Sequence, residues 1–211
     1  MTVKERKRKV RSDKKRDVKP TIPVNLRECI YRLSYITNMP VKDIVESICD
    51  SGIRSRKVID HLSQHFKRNL KFSNTLYIGD ISRTPLHRLA LPGKKERITT
   101  RLKDGDEETY DKIKQLAYAL DCTPTTATAL LLEVSIKNTD YVNDQIKSHL
   151  QGQLEPGRIK ELKAVLNYIN KNNPYDEEIS LSALIFYLLD EIKIGATNIN
   201  HSIQAWLDKV K

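Results

Sequence analysis

Hydrophobic positions recur along the chain with two periods. Between Glu96 and Leu102 they alternate with polar ones, so Ile98, Thr100 and Leu102 fall on one face and Arg97, Thr99 and Arg101 on the other. That is the period of a β-strand with one face on a core. The rest of the pattern is helical. From about Glu107, Tyr110, Ile113, Leu116, Ala117 and Leu120 make one stripe, Asp121-Cys122-Thr123 breaks it, and Thr123 with Pro124 opens a second helix with Leu130, Leu131 and Val134 inward. Upstream, Lys19-Pro20-Thr21-Ile22-Pro23-Val24 reads as extended. Ile30, Leu33 and Thr37 then lie on one predicted helix, and Ile44, Val45 and Ile48 on another that starts at Pro40 and stops at Gly52. Ser55 opens a predicted helix over 55–70 with Val58, Ile59, Leu62 and Phe66 inward, and 71–93 reads as a connector. Further helices are predicted from Pro156, from Ser180, and around Ile203, Trp206, Leu207 and Val210.

The expected fold is therefore mainly α, with short strands. Its organisation is an arm over 1–17, a first unit over 18–53, a helix and connector over 54–93, a second unit over 94–138 and a helical C-terminal domain over 139–211. Charge sharpens this picture. Residues 1–19 hold ten basic and three acidic residues, 20–103 sixteen and seven, and 104–211 eleven and seventeen. A basic first half facing a polyanion fits that imbalance, and the arm, lacking apolar periodicity, is expected to be disordered. Its Lys7, Arg8, Lys9, Lys14, Lys15 and Arg16 are expected to contact phosphates.

Strand, helix, tight turn and helix over 94–136, with Arg97, Thr99 and Arg101 outward and a capped second helix at Thr123, resemble the ribbon-helix-helix family of DNA-binding proteins, which includes Arc, MetJ and CopG-type repressors. The resemblance implies an antiparallel ribbon of two strands in the major groove of double-stranded DNA, with Arg97, Thr99 and Arg101 on base edges. It implies phosphate contacts at Lys95, Thr123 and Thr125. The order recurs over 19–52, where Lys19 and Thr21 would take the base-facing role, although Pro20 and Pro23 depart from the pattern. Residues 149–194 are a candidate degenerate third unit, with Gln151 and Gln153 outward, used for dimerisation. One unit cannot bury its own helix stripes, so a partner is expected: a second chain in a homodimer, or another segment in an intrachain pseudo-dimer. The family implies a prokaryotic, plasmid or phage transcriptional repressor. A plasmid partition protein that binds a centromere, or a relaxosome accessory factor, uses the same chemistry. An RNA-binding module or a protein adaptor with an electrostatic arm is the rival class.

Other chemistry is thin. His61 and His65 stand four apart on a predicted helix, but without the glutamate of a zinc protease or a third ligand they read as solvated or phosphate-facing. Asp176-Glu177-Glu178 reads as a solvated loop. No glycine-rich phosphate loop or nucleophile elbow occurs, so neither enzyme activity, cofactor nor metal is expected. No apolar run reaches the roughly 20 residues of a membrane span, and Cys29, Cys49 and Cys122 form no CxxC, so reduced thiols in a cytoplasmic, nucleoid-associated protein are expected.

Overall fold

Two segments far apart in sequence run antiparallel against each other. In the computed structural model, β1 (Lys15–Val18) pairs with β6 (Thr100–Lys103), and β2 (Thr21–Pro23) with β5 (Lys95–Arg97). One register runs through both pairs, setting Lys15 opposite Lys103, Val18 opposite Thr100, Thr21 opposite Arg97 and Pro23 opposite Lys95. Between them the Ile98 N–H donates to the Pro20 carbonyl at 3.0 Å. At the ends, the Asp104 N–H donates to Lys14 at 2.8 Å and the Val24 N–H to Lys94 at 3.2 Å. Pro20 has no N–H to return to Ile98, so the ladder loses a bond there and the ribbon reads as two short stretches. The structure describes residues 14–89, 93–106, 108–138, 141–142, 144, 156–171 and 173–175.

The inner face of this ribbon is Val18, Pro20, Ile22, Ile98, Thr100 and Leu102, all buried. Two helix pairs cover it. The first is α1 (Val24–Thr37) and α2 (Val41–Arg54). After α3 (Arg56–Ser63), the hairpin β3 (Leu70–Phe72) and β4 (Thr75–Tyr77), and the short α4 (Leu86–Leu89), the second pair is α5 (Thr109–Leu120) and α6 (Pro124–Ser135). Both pairs turn the same way. A left-handed residue, Asn38 at φ 56° or Asp121 at φ 55°, ends the first helix, and the second begins three positions later at Val41 or Pro124. Asn and Asp accept this region more readily than other residues with a Cβ. The pairs interlock, since α2 packs on β6 and α6 on β2.

Gly52 is not a helix stop. It lies inside α2 where that helix meets α6, and a Cβ there would stand 1.8 Å from Ser135 Oγ and 2.6 Å from Ser135 Cβ. Gly52 and Ser135 occupy the same position counted from the starts of their helices, so equivalent points of the two pairs touch. Asp50 ties α2 to α5. Burial pushes its carboxyl up, but hydrogen bonds from the Thr109 hydroxyl and Arg54 outweigh this and hold it below the usual range.

Three other expectations change. The helix expected over 55–70 ends at Ser63, because the chain turns so that the Lys67 and Arg68 N–H groups donate to the Ala119 carbonyl at 2.8 and 3.2 Å. Phe66 stays buried. The connector 71–93 contains β4 and α4, and Gly79 lets the loop after β4 lie on the Arg68 backbone, which a Cβ would meet at 2.5 Å. The arm does not extend to residue 17, since Lys15–Val18 is strand. In the C-terminal domain, α7 (Pro156–Asn170) lies along α1 of the same chain. Arg32 pairs with Glu161, and Arg158 donates to the Ile36 carbonyl at 3.3 Å. Lys7, Arg8 and Lys9, the third unit's strand with Gln151 and Gln153, the helix from Ser180, Asp176-Glu177-Glu178 and Trp206 lie outside the described residues.

Gly52→Ala should destabilise the fold by roughly 1–3 kcal/mol, the usual cost of overpacking. Adding Ser135→Gly should recover most of the lost melting temperature. Asp50 contributes stability that is present above its unfolded value of about 4 and is lost as pH falls through its lower folded value. Asp50→Asn should therefore flatten the loss of stability below pH about 4, read by denaturant titration across pH.

Candidate nucleic-acid interface

The strand alternation that buries the inner face fixes the outer one. It carries Lys15, Asp17, Lys19, Thr21 and Pro23 from the first strand, and Lys95, Arg97, Thr99, Arg101 and Lys103 from the second. All but the half-buried Pro23 are exposed. Six are cations and one is an acid. The hydrogen bonds at Lys14–Asp104, Pro20–Ile98 and Val24–Lys94 all join inward-facing pairs, so the outward pairs are the non-bonded ones, whose side chains approach most closely. Asp17 accordingly meets its partner Arg101 at 2.9 Å, with side chains 59% and 62% exposed. At that exposure the pair is worth at most about 1 kcal/mol. Lys15 reaches Glu46 on α2 at 2.7 Å. Arg97, Lys19 and Lys95 have no ion-pair partner among the described residues. The strand's own acid, Glu96, is on the inward parity, held by Arg27 at 2.8 Å and Lys94 at 3.3 Å.

No family model, curated protein or solved structure matches this chain.

The structure thus brings the expected base-facing residues Arg97, Thr99, Arg101, Lys19 and Thr21 onto one surface, with Lys95 and Lys15 beside them. It removes two residues from that surface. Lys14 lies 3.7 Å from Asp104, and Arg16 sets its guanidinium 5.5 Å from the centre of the Tyr110 ring, both on the inward parity. Lys103 was missed, although the alternation ending at Arg101 runs one step further to include it. Lys42, exposed in the first turn of α2, had no signal in the strand pattern. Its carbonyl accepts from the buried Thr100 hydroxyl at 2.9 Å, which joins the strand to that turn.

The two second helices begin differently. At α6, Thr123 Oγ1 accepts the Thr126 N–H at 3.2 Å, and Pro124 has no N–H. Exposed Thr125 is then the first-turn amide available to an anion. At α2, Pro40 offers no side-chain cap and Asp43 sits in the first turn, which disfavours an anion there.

Elsewhere, burial pushes the half-buried His61 and His65 below the usual histidine range, helped by Lys137 beside His61 and Arg83 beside His65. His61 packs edge-on to the Tyr175 ring at 5.9 Å. Among the described residues no group of three His, Cys, Asp or Glu could hold a metal ion, and no helix is long and apolar enough to cross a membrane. The three cysteines are unpaired, and burial pushes Cys29 up to about 12 and Cys122 to about 11.

Arg97→Ala and Arg101→Ala should each shift stability by less than about 1 kcal/mol. Thr100→Val should cost roughly 1 kcal/mol or more, because the Lys42 carbonyl loses its donor. Thermal melts of the three variants check the contrast.

Proposed function

We propose that the chain binds double-stranded DNA in a sequence-specific manner, as a ribbon-helix-helix protein whose two halves lie on one polypeptide, and that it acts as a transcriptional repressor. The observation that carries this reading is the outer face of the ribbon. Cationic and hydroxyl side chains occupy eight of its ten outward positions, six cations and two threonines, with Asp17 and Pro23 at the other two. A two-stranded ribbon fits the major groove, where arginine pairs with guanine through two hydrogen bonds and threonine meets either polar edges or the thymine methyl. Lys15, Lys95 and Lys103, toward the ends of the ribbon, suit phosphates, and the Thr125 amide at the start of α6 suits another. Repression then follows from occupancy of a promoter. Partition and relaxosome roles would use this same contact. Single-stranded RNA would call for aromatic side chains on the sheet. Among the described residues the exposed tyrosines, Tyr31, Tyr35 and Tyr118, are on helices instead.

The test is selection of binding sites from a randomised duplex library by the full chain, followed by anisotropy titrations on the selected site. Arg97→Ala should weaken specific binding by about tenfold or more, with non-specific duplex binding reduced far less. The affinity should fall with salt at a log–log slope of about 0.9 for each phosphate contacted, and removal of residues 1–13 should lower that slope without changing the specific-to-non-specific ratio. A chain that enriches no duplex sequence, yet binds single-stranded RNA tightly, would overturn the proposal.

A further inference from the structure

The ribbon has near two-fold symmetry that its outer chemistry breaks. The terminal hydrogen bonds, Asp104 to Lys14 and Val24 to Lys94, are equivalent under a rotation that exchanges the strands, and the midpoint between them is the facing pair Lys19 and Thr99. The rotation carries Lys15 onto Lys95, Asp17 onto Arg97, Thr21 onto Arg101 and Pro23 onto Lys103. Only the first of these four exchanges preserves charge. An acid stands where its equivalent is an arginine, and a threonine where its equivalent is an arginine.

The consequence for the two halves is specific. At one end, Arg97 faces Thr21 and has no carboxylate within ion-pair distance among the described residues. At the other end, Arg101 faces Asp17 and is held by it at 2.9 Å, with the bond made by Nε. An arginine bonded through Nε keeps its terminal nitrogens for a base, and the bond biases its orientation toward the Asp17 side of the ribbon. The carboxylate beside it can accept from a cytosine amino group and repels acceptor-rich edges. The two ends therefore present different donor and acceptor sets to a groove.

We infer that this protein reads an asymmetric duplex sequence through a ribbon formed by a single chain, with Arg97 specifying one half and the Asp17–Arg101 pair specifying the other and fixing the direction of binding. This rests on the DNA-binding reading above and adds the symmetry and polarity of the target. Identical strands would demand an inverted repeat; these strands present unlike groups at equivalent places, so an inverted repeat would mismatch one half.

The experiment is site selection from the randomised duplex library with the full chain, repeated with Asp17→Asn and with Arg97→Ala, and stoichiometry by native mass spectrometry on the selected duplex. The expected result is a non-palindromic consensus bound by one chain. Asp17→Asn should relax base preference about tenfold in one half only, and Arg97→Ala in the other half only. Exposure of both side chains makes misfolding of these variants a poor explanation of lost preference, and melting temperatures equal to the parent's verify that. A palindromic consensus, or two chains required for each ribbon-sized site, overturns this inference while leaving duplex recognition standing. Both substitutions altering the same half, or Asp17→Asn altering neither, overturns the assignment of direction. Failure to enrich any duplex overturns the underlying reading instead.

Discussion

A ribbon of two strands cannot hold itself together in water, and the structure is organised around that fact. Each strand has an unpaired edge, and Pro20 removes one of the cross-strand bonds. What keeps the strands joined is the apolar inner row, Val18, Ile22, Ile98 and Leu102, buried beneath the helices. Removing such area from water contributes roughly 25 cal/mol for each Å². The helices can cover the row only by approaching closely, and the missing side chain at Gly52 against Ser135 permits this. Strand pairing, helix crossing and outward display are thus one constraint seen at three places.

The parts of the fold legible in the sequence are those whose signal is local. Ile98, Thr100 and Leu102 show the strand by their spacing, and their burial matches it. Thr123 and Pro124 show the start of α6, and the cap bond from Thr126 is present. The stripes Ile113 to Leu120 and Ile44 to Ile48 face inward as their periods require. Features set by contact between distant segments were not legible. Gly52, near the end of a stripe, has the appearance of a terminator, and only the crossing helix reveals its other use. Lys14 to Asp17 contain no apolar residue, so nothing local marks them as strand; their partner across the ribbon does. The hairpin over Leu70–Tyr77 is too short to display a period, and Ser73 takes its turn at φ 52° without a glycine to announce it.

The same division holds for the candidate site. Which side chains face outward on the second strand follows from alternation alone. Which strand they would lie beside, and therefore which groups would share a surface with them, depended on pairing within or between chains. The register answers that question, and it also turns the exposed Arg16 away from the outward row, with its guanidinium over the Tyr110 ring. The C-terminal helix α7 adds a further tertiary fact. It lies within the segment expected to form a third unit for dimerisation, and it packs against α1 of its own chain.

Assembly of the ribbon inside one chain changes how the surface responds to abundance. A face built by two separate polypeptides vanishes as they dissociate on dilution, and its population falls with the square of their concentration when they are scarce. Here the two strands are tethered by the segment between Val24 and Lys94, so their encounter is intramolecular and its effective concentration does not depend on how many copies are made. A cell holding a handful of these molecules would hold the same handful of complete ribbons.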